Sequence, residues 1–112
     1  MAATVASAQT PILQYTFNET DKTAASIGSN PTPLALVNSS GTATDLHSAS
    51  GLGVSGLPGD RAFDNTASTG MGGTGVGGAA VLPVNTFGTL YSFTFECWFN
   101  ASSIPSNAAR LF

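Results

Sequence analysis

The run Tyr91–Phe99, YSFTFECWF, places Tyr91, Phe93, Phe95, Cys97 and Phe99 at every second position, with Ser92, Thr94, Glu96 and Trp98 between them. A β-strand sends successive side chains to opposite faces, whereas a helix would scatter these residues around its circumference. The pattern predicts a strand that is apolar on one side. Ordering its backbone costs about 9–18 kcal/mol, and burying its large side chains returns about 8–15 kcal/mol. Such a strand holds only where another layer covers it, so the run predicts a β-sandwich rather than a lone sheet.

The rest of the chain agrees with an all-β reading. In ILQYTF, Leu13, Tyr15 and Phe17 share one face, while Gln14 and Thr16 take the other. Shorter strands are expected at Leu34–Val37, Arg61–Phe63 and Ala79–Val84, and Pro83 pushes the last toward a sheet edge or a strand end. Between them run loops rich in Gly, Ser, Thr and Asn, with no pattern that calls for a helix and no internal repeat.

Composition excludes several function classes. Only 8% of the 112 residues are charged and the formal net charge is −3, with Lys22, Arg61 and Arg110 scattered. A nucleic-acid partner needs clustered cations to displace phosphate counterions, so none is expected. No apolar run approaches the roughly 20 residues of a membrane span. Hydrophobic residues at 42% and aromatics at 9% still allow a core.

The stretch Thr69–Gly78, TGMGGTGVGG, spells G-x-G-x-x-G twice. A dinucleotide site requires a buried strand before the glycines and a helix after them, whose free N–H groups hold the pyrophosphate. Here a turn-like DNTAST precedes and a strand-like AAVLPV follows. The glycines read as a connecting loop, and no nucleotide is expected.

The order of these elements resembles the first half of a laminin G-like domain of the concanavalin A-like lectin/glucanase superfamily. The resemblance rests on LQYTFNETD (Leu13–Asp21), GLPGDRAFDN (Gly56–Asn65), a strand ending near Pro83, and Phe93–Phe99 with its Trp98, and it covers about Ile12–Phe112. It implies an antiparallel β-sandwich, a jelly roll of the concanavalin A-like kind, present as an incomplete fragment. Residues 11–112 are its N-terminal part. Residues 1–10 are expected to be either the remnant of an export signal, in which Ala6-Ser7-Ala8 resembles a signal-peptidase site, or a disordered terminus. The Gly-rich loop after Asp64 departs from the family, where a short turn is usual.

The same resemblance implies a non-catalytic module that binds carbohydrate or an extracellular protein, in a secreted or cell-surface protein of bacterial type. The alternatives are the front of a secreted glycoside hydrolase and a ligand-free structural surface domain. Retaining glycosidases need paired carboxylates on one strand, but Glu19 and Glu96 lie in separate segments, and Glu19-Thr20-Asp21 reads as a solvated turn. No catalytic residue is assigned. His47 stands in a Ser-rich loop with no nucleophile logic, and the lone Cys97 reads as a structural thiol.

The resemblance also implies that a loop rim could hold calcium, with Asp60, Asp64 and Asn65 and loop carbonyls as weak candidate ligands. The competing reading makes Asp60 a turn cap or a partner of Arg61, and Asp64 structural. Trp98 is expected in the core, with stacking on a sugar ring as the alternative. Three sequons, at Asn18, Asn38 and Asn100, are close to the number chance supplies.

Overall fold

The computed structural model describes residues 9–65 and 77–100. Its regular structure is an antiparallel three-stranded sheet, in the order β1 (Thr23–Ala24), β2 (Leu34–Val37), β3 (Ala79–Val81). Thr23 pairs with Ala35 and Ala24 with Leu34; on the other side of β2, Ala35 pairs with Val81, Leu36 with Ala80 and Val37 with Ala79. No helix occurs among the described residues. The all-β expectation is met at this level.

Two of the expected strands form where the sequence puts them. β2 covers Leu34–Val37, and β3 takes the first half of Ala79–Val84. β3 is an edge strand, and Pro83, which has no N–H to offer a ladder, stands just beyond its end.

Paired residues in an antiparallel ladder share a face. On one face lie Ala24, Leu34 and Leu36; these are buried, and with Leu46 they make up the hydrophobic core of the described residues. Leu36 is fully enclosed. The approach of Leu46 depends on a glycine: a Cβ at Gly78 would collide with Leu46 Cδ1 and stand 2.5 Å from the Val37 carbonyl oxygen. On the other face, Thr23, Ala35, Ala79 and Val81 are exposed and Val37 is half-buried. There Thr23, Ala35 and Val81 border an open groove of 290 Å³, with Pro33, Leu34, Leu82 and Pro83 completing its lining. The face with Leu36 is covered and the other is open, as is common in antiparallel sheets.

Around the sheet, the chain pairs loosely. Tyr15 bridges Ser26, Val37 bridges Ala43, and His47 bridges Phe63. The N-terminal run keeps its alternation, since Leu13, Tyr15 and Phe17 are half-buried and Gln14 and Thr16 exposed. The strand expected there reduces to the Tyr15 bridge, and at Phe17 the chain turns with a left-handed φ of 57°. Arg61–Phe63 reduces to the His47 bridge, flanked by Ser48 N–H to the Ala62 carbonyl (2.8 Å) and Asp64 N–H to the Leu46 carbonyl (2.7 Å).

The expected strand at Tyr91–Phe99 is not formed. Residues 91–100 belong to no strand, and Tyr91 (98%), Phe93 (78%), Trp98 (85%) and Phe99 (69%) are largely exposed. Trp98 is therefore outside the core, and so is Cys97. The physical reason is the narrow balance between ordering and burial. With no layer over the aromatic side chains, the entropy of a free backbone is not offset. The Gly-rich stretch at residues 69–76 and residues 1–8, where an export-signal remnant or a disordered terminus was expected, lie outside the described residues.

Candidate functional site

The polar residues singled out in the sequence gather around the ladder that joins Leu46–Ser48 to Ala62–Asp64. Asp60 sits at its open end and folds the preceding loop onto itself. Its Oδ2 accepts the Ser55 N–H (2.5 Å), the Ser55 hydroxyl (2.7 Å) and the Gly56 N–H (3.2 Å), while its carbonyl accepts the Gly51 N–H (2.8 Å). The Ser55 hydroxyl, then the Ser55 and Gly56 N–H groups, hold its carboxyl below the usual aspartate value. Asp60 is thus a turn cap.

Arg61 turns away from Asp60. Its guanidinium Nη1 donates to the Ser48 carbonyl (2.5 Å), and its backbone N–H donates to Asn18 Oδ1 (2.8 Å). Asp64 joins the ladder through its N–H, and the Asn65 side chain lies against Gly77, where a Cβ would collide with the amide. Of Asp60, Asp64 and Asn65, the Asp60 carboxylate is thus engaged by its own loop. Among the described residues, no group of three or more His, Cys, Asp or Glu side chains could hold a metal ion.

The cluster that sequence reading missed is centred on His47. Its side chain is 1% exposed. Asp45 Oδ1 accepts both the His47 backbone N–H (3.0 Å) and Nδ1 (2.7 Å), a two-point grip that fixes the ring. These two bonds, backbone first, hold the Asp45 carboxyl below its ordinary value, assisted by the charges of His47 and Arg61. On the other side, Nε2 stands 3.6 Å from Glu19 Oε2, and neither of those buried atoms has a hydrogen-bond partner. Glu19 Oε1 accepts the Ala25 N–H (2.9 Å). Phe17 packs on the imidazole at 6.3 Å and on Phe63 at 5.8 Å; the ring is buried, while the Asp45 side chain stays about half exposed.

Glu19 therefore does not belong to a solvated turn with Asp21. Asp21 does keep to the turn, where its Oδ1 accepts the Thr23 N–H (2.7 Å) and hydroxyl (3.0 Å) at the start of β1. The only sequence signal for the cluster was the i, i+2 spacing of Asp45 and His47. The contribution of Glu19 comes from the fold alone.

Chemically, an aspartate that grips one nitrogen of an imidazole resembles the orienting half of a catalytic triad. In such a triad the far nitrogen meets a nucleophile at the surface. Here it meets a carboxylate in a closed space, so the cluster fastens segments together.

The sequon asparagines at 18 and 38 are also engaged. Asn38 Oδ1 accepts the Ser40 N–H (3.0 Å), the Ser40 hydroxyl (2.8 Å) and the Thr42 N–H (2.9 Å), while Asn18 holds Arg61. At the far end of the described chain, Trp98 stands exposed in a run that includes Thr94 and Glu96. No helix of the described residues is long and apolar enough to cross a membrane. Set against known proteins, the chain matches no family model, no curated protein and no solved structure.

Proposed function

We propose that the chain is a non-catalytic recognition module of laminin G-like type, in a secreted or cell-surface protein, whose ligand is a carbohydrate or an extracellular protein. One observation carries the reading: the exposed aromatic run Tyr91, Phe93, Phe95, Trp98 and Phe99. Aromatic rings next to polar side chains suit recognition surfaces, because one end is apolar and the other can be wet. Trp98, with Thr94 and Glu96 at alternate positions before it, is the residue best suited to stack on a sugar ring. The open apolar face of the sheet supports the sandwich, since Ala35, Val37 and Val81 are residues that a second layer would cover.

The test is binding of the 112-residue chain to an array of glycans and extracellular proteins, repeated with Trp98→Ala. Selective binding that falls at least tenfold in the variant supports the reading. Silence on the array, together with hydrolysis of a polysaccharide, overturns it. Because Trp98 is so exposed, the substitution should move stability by no more than about 0.5 kcal/mol, so lost binding cannot be lost folding.

A further inference from the structure

Among the described residues, two apolar surfaces have no cover. One is the sheet face of Thr23, Ala35 and Val81, whose groove runs on to Pro83. The other is the run that carries Tyr91, Phe93 and Phe99, all largely exposed. No charged side chain lines the groove. In an extended run the lone charge, Glu96, alternates onto the side opposite these rings. Each surface is what the other needs, yet they do not meet within one copy. Two bonded turns stand between β3 and the run: the Thr86 N–H and hydroxyl donate to the Pro83 carbonyl (3.3 and 2.6 Å), and the Gly88 N–H donates to the Asn85 carbonyl (3.2 Å). Asn85 holds a left-handed φ of 66° there, a conformation few residues with a Cβ adopt. Past these turns the rings do not return to the groove.

We propose that two copies of the chain form a reciprocal dimer, in which Tyr91–Phe99 of each lies over the open sheet face of the other. A short, strained connection favours exchange of a segment between copies over closure within one. The area suffices. Taking the rings of Tyr91, Phe93 and Phe99 out of water in both copies buries on the order of 1,000 Å², the least that a specific interface needs. The arrangement is two-fold and closes on itself, so association stops at the dimer. The cost of ordering the run, which it cannot offset alone, is then offset by the layer beneath it. Thr94, Glu96 and Trp98 take the outer side of each docked run. The dimer therefore leaves Trp98 free and presents it twice, and it does not depend on what ligand Trp98 meets.

The test is sedimentation of the 112-residue chain over a range of concentrations, joined to NMR on a mixture of isotope-labelled and unlabelled copies. A dimer should form, and the rings of one copy should give contacts to the Val81 methyl groups of the other. Phe93→Ser removes a ring that is 78% exposed, so the fold stays while the dimer dissociation constant should rise about tenfold or more. Val81→Asp places a charge in the groove and should weaken the dimer as strongly. Mixed together, the two variants should associate better than either alone. The Phe93→Ser copy keeps its groove and the Val81→Asp copy keeps its run, so an intact contact forms only between unlike copies. A monomer at every concentration, a run that covers Val81 of its own copy, or a dimer joined run to run overturns the proposal.

Discussion

Asp60 reaches back to Ser55, accepting its backbone N–H at 2.5 Å and its hydroxyl at 2.7 Å, and so closes the loop between Gly51 and Asp60. These bonds need the ionised carboxylate, and they hold its pKa below the ordinary 3.8. A group whose folded pKa is depressed contributes stability above its unfolded value and loses it as pH falls through the folded one. The loop should therefore stay closed at neutral pH and loosen below about pH 3.8, where faster amide exchange at Ser55 and Gly56 will show it. Asp60→Ala should show the same fast exchange at neutral pH, with no further change in acid.

Gly53 lies beneath that carboxylate. A Cβ there would collide with the Asp60 side chain and approach the Arg61 carbonyl oxygen to 2.6 Å. Gly53→Ala should cost about 1–3 kcal/mol, because backbone must shift to make room. Urea unfolding of the two proteins checks the figure. In the Asp60→Ala background part of that cost should vanish, since one of the two obstacles is gone.

Leu36 is fully buried on the covered face of the sheet, and Val84 is 93% exposed. Leu36→Ala should destabilise the chain by about 2–5 kcal/mol, enough to unfold much of a domain with a core this small. Val84→Ser should change stability by no more than about 0.5 kcal/mol. Circular dichroism melts of the two variants separate these outcomes.

The Tyr15 hydroxyl donates to the Thr32 carbonyl at 2.7 Å, and burial raises its pKa above 10.0. A raised folded pKa means the contribution is complete below the unfolded value and is lost as pH climbs through the folded one. Alkali above about pH 10 should therefore release the N-terminal run. Tyr15→Phe should remove about 0.5–1.5 kcal/mol at neutral pH and flatten the alkaline part of the stability profile.

Much of the sheet was legible in the residues. LALV is β2 at its predicted limits, and Pro83 marks where β3 stops and why it stays at the edge. The alternation at Leu13, Tyr15 and Phe17 survives as an alternation of burial even though only Tyr15 bridges another segment. The His47 cluster was legible only in part. Asp45 and His47 are neighbours along the chain, but Glu19 reaches the ring because the Phe17 turn and the Arg61–Asn18 bond carry it there.

The amino-acid order by itself determined which side chains can share a face and where strands must stop, because alternation, proline geometry and turn chemistry act over a few residues. The tertiary structure alone decided which of those faces is covered. Leu36 found a neighbour and is enclosed, while Phe93 and Trp98, in an equally strand-like run, stand in water. A strand is stabilised by what lies beside and above it, and that depends on distant segments that no local pattern specifies.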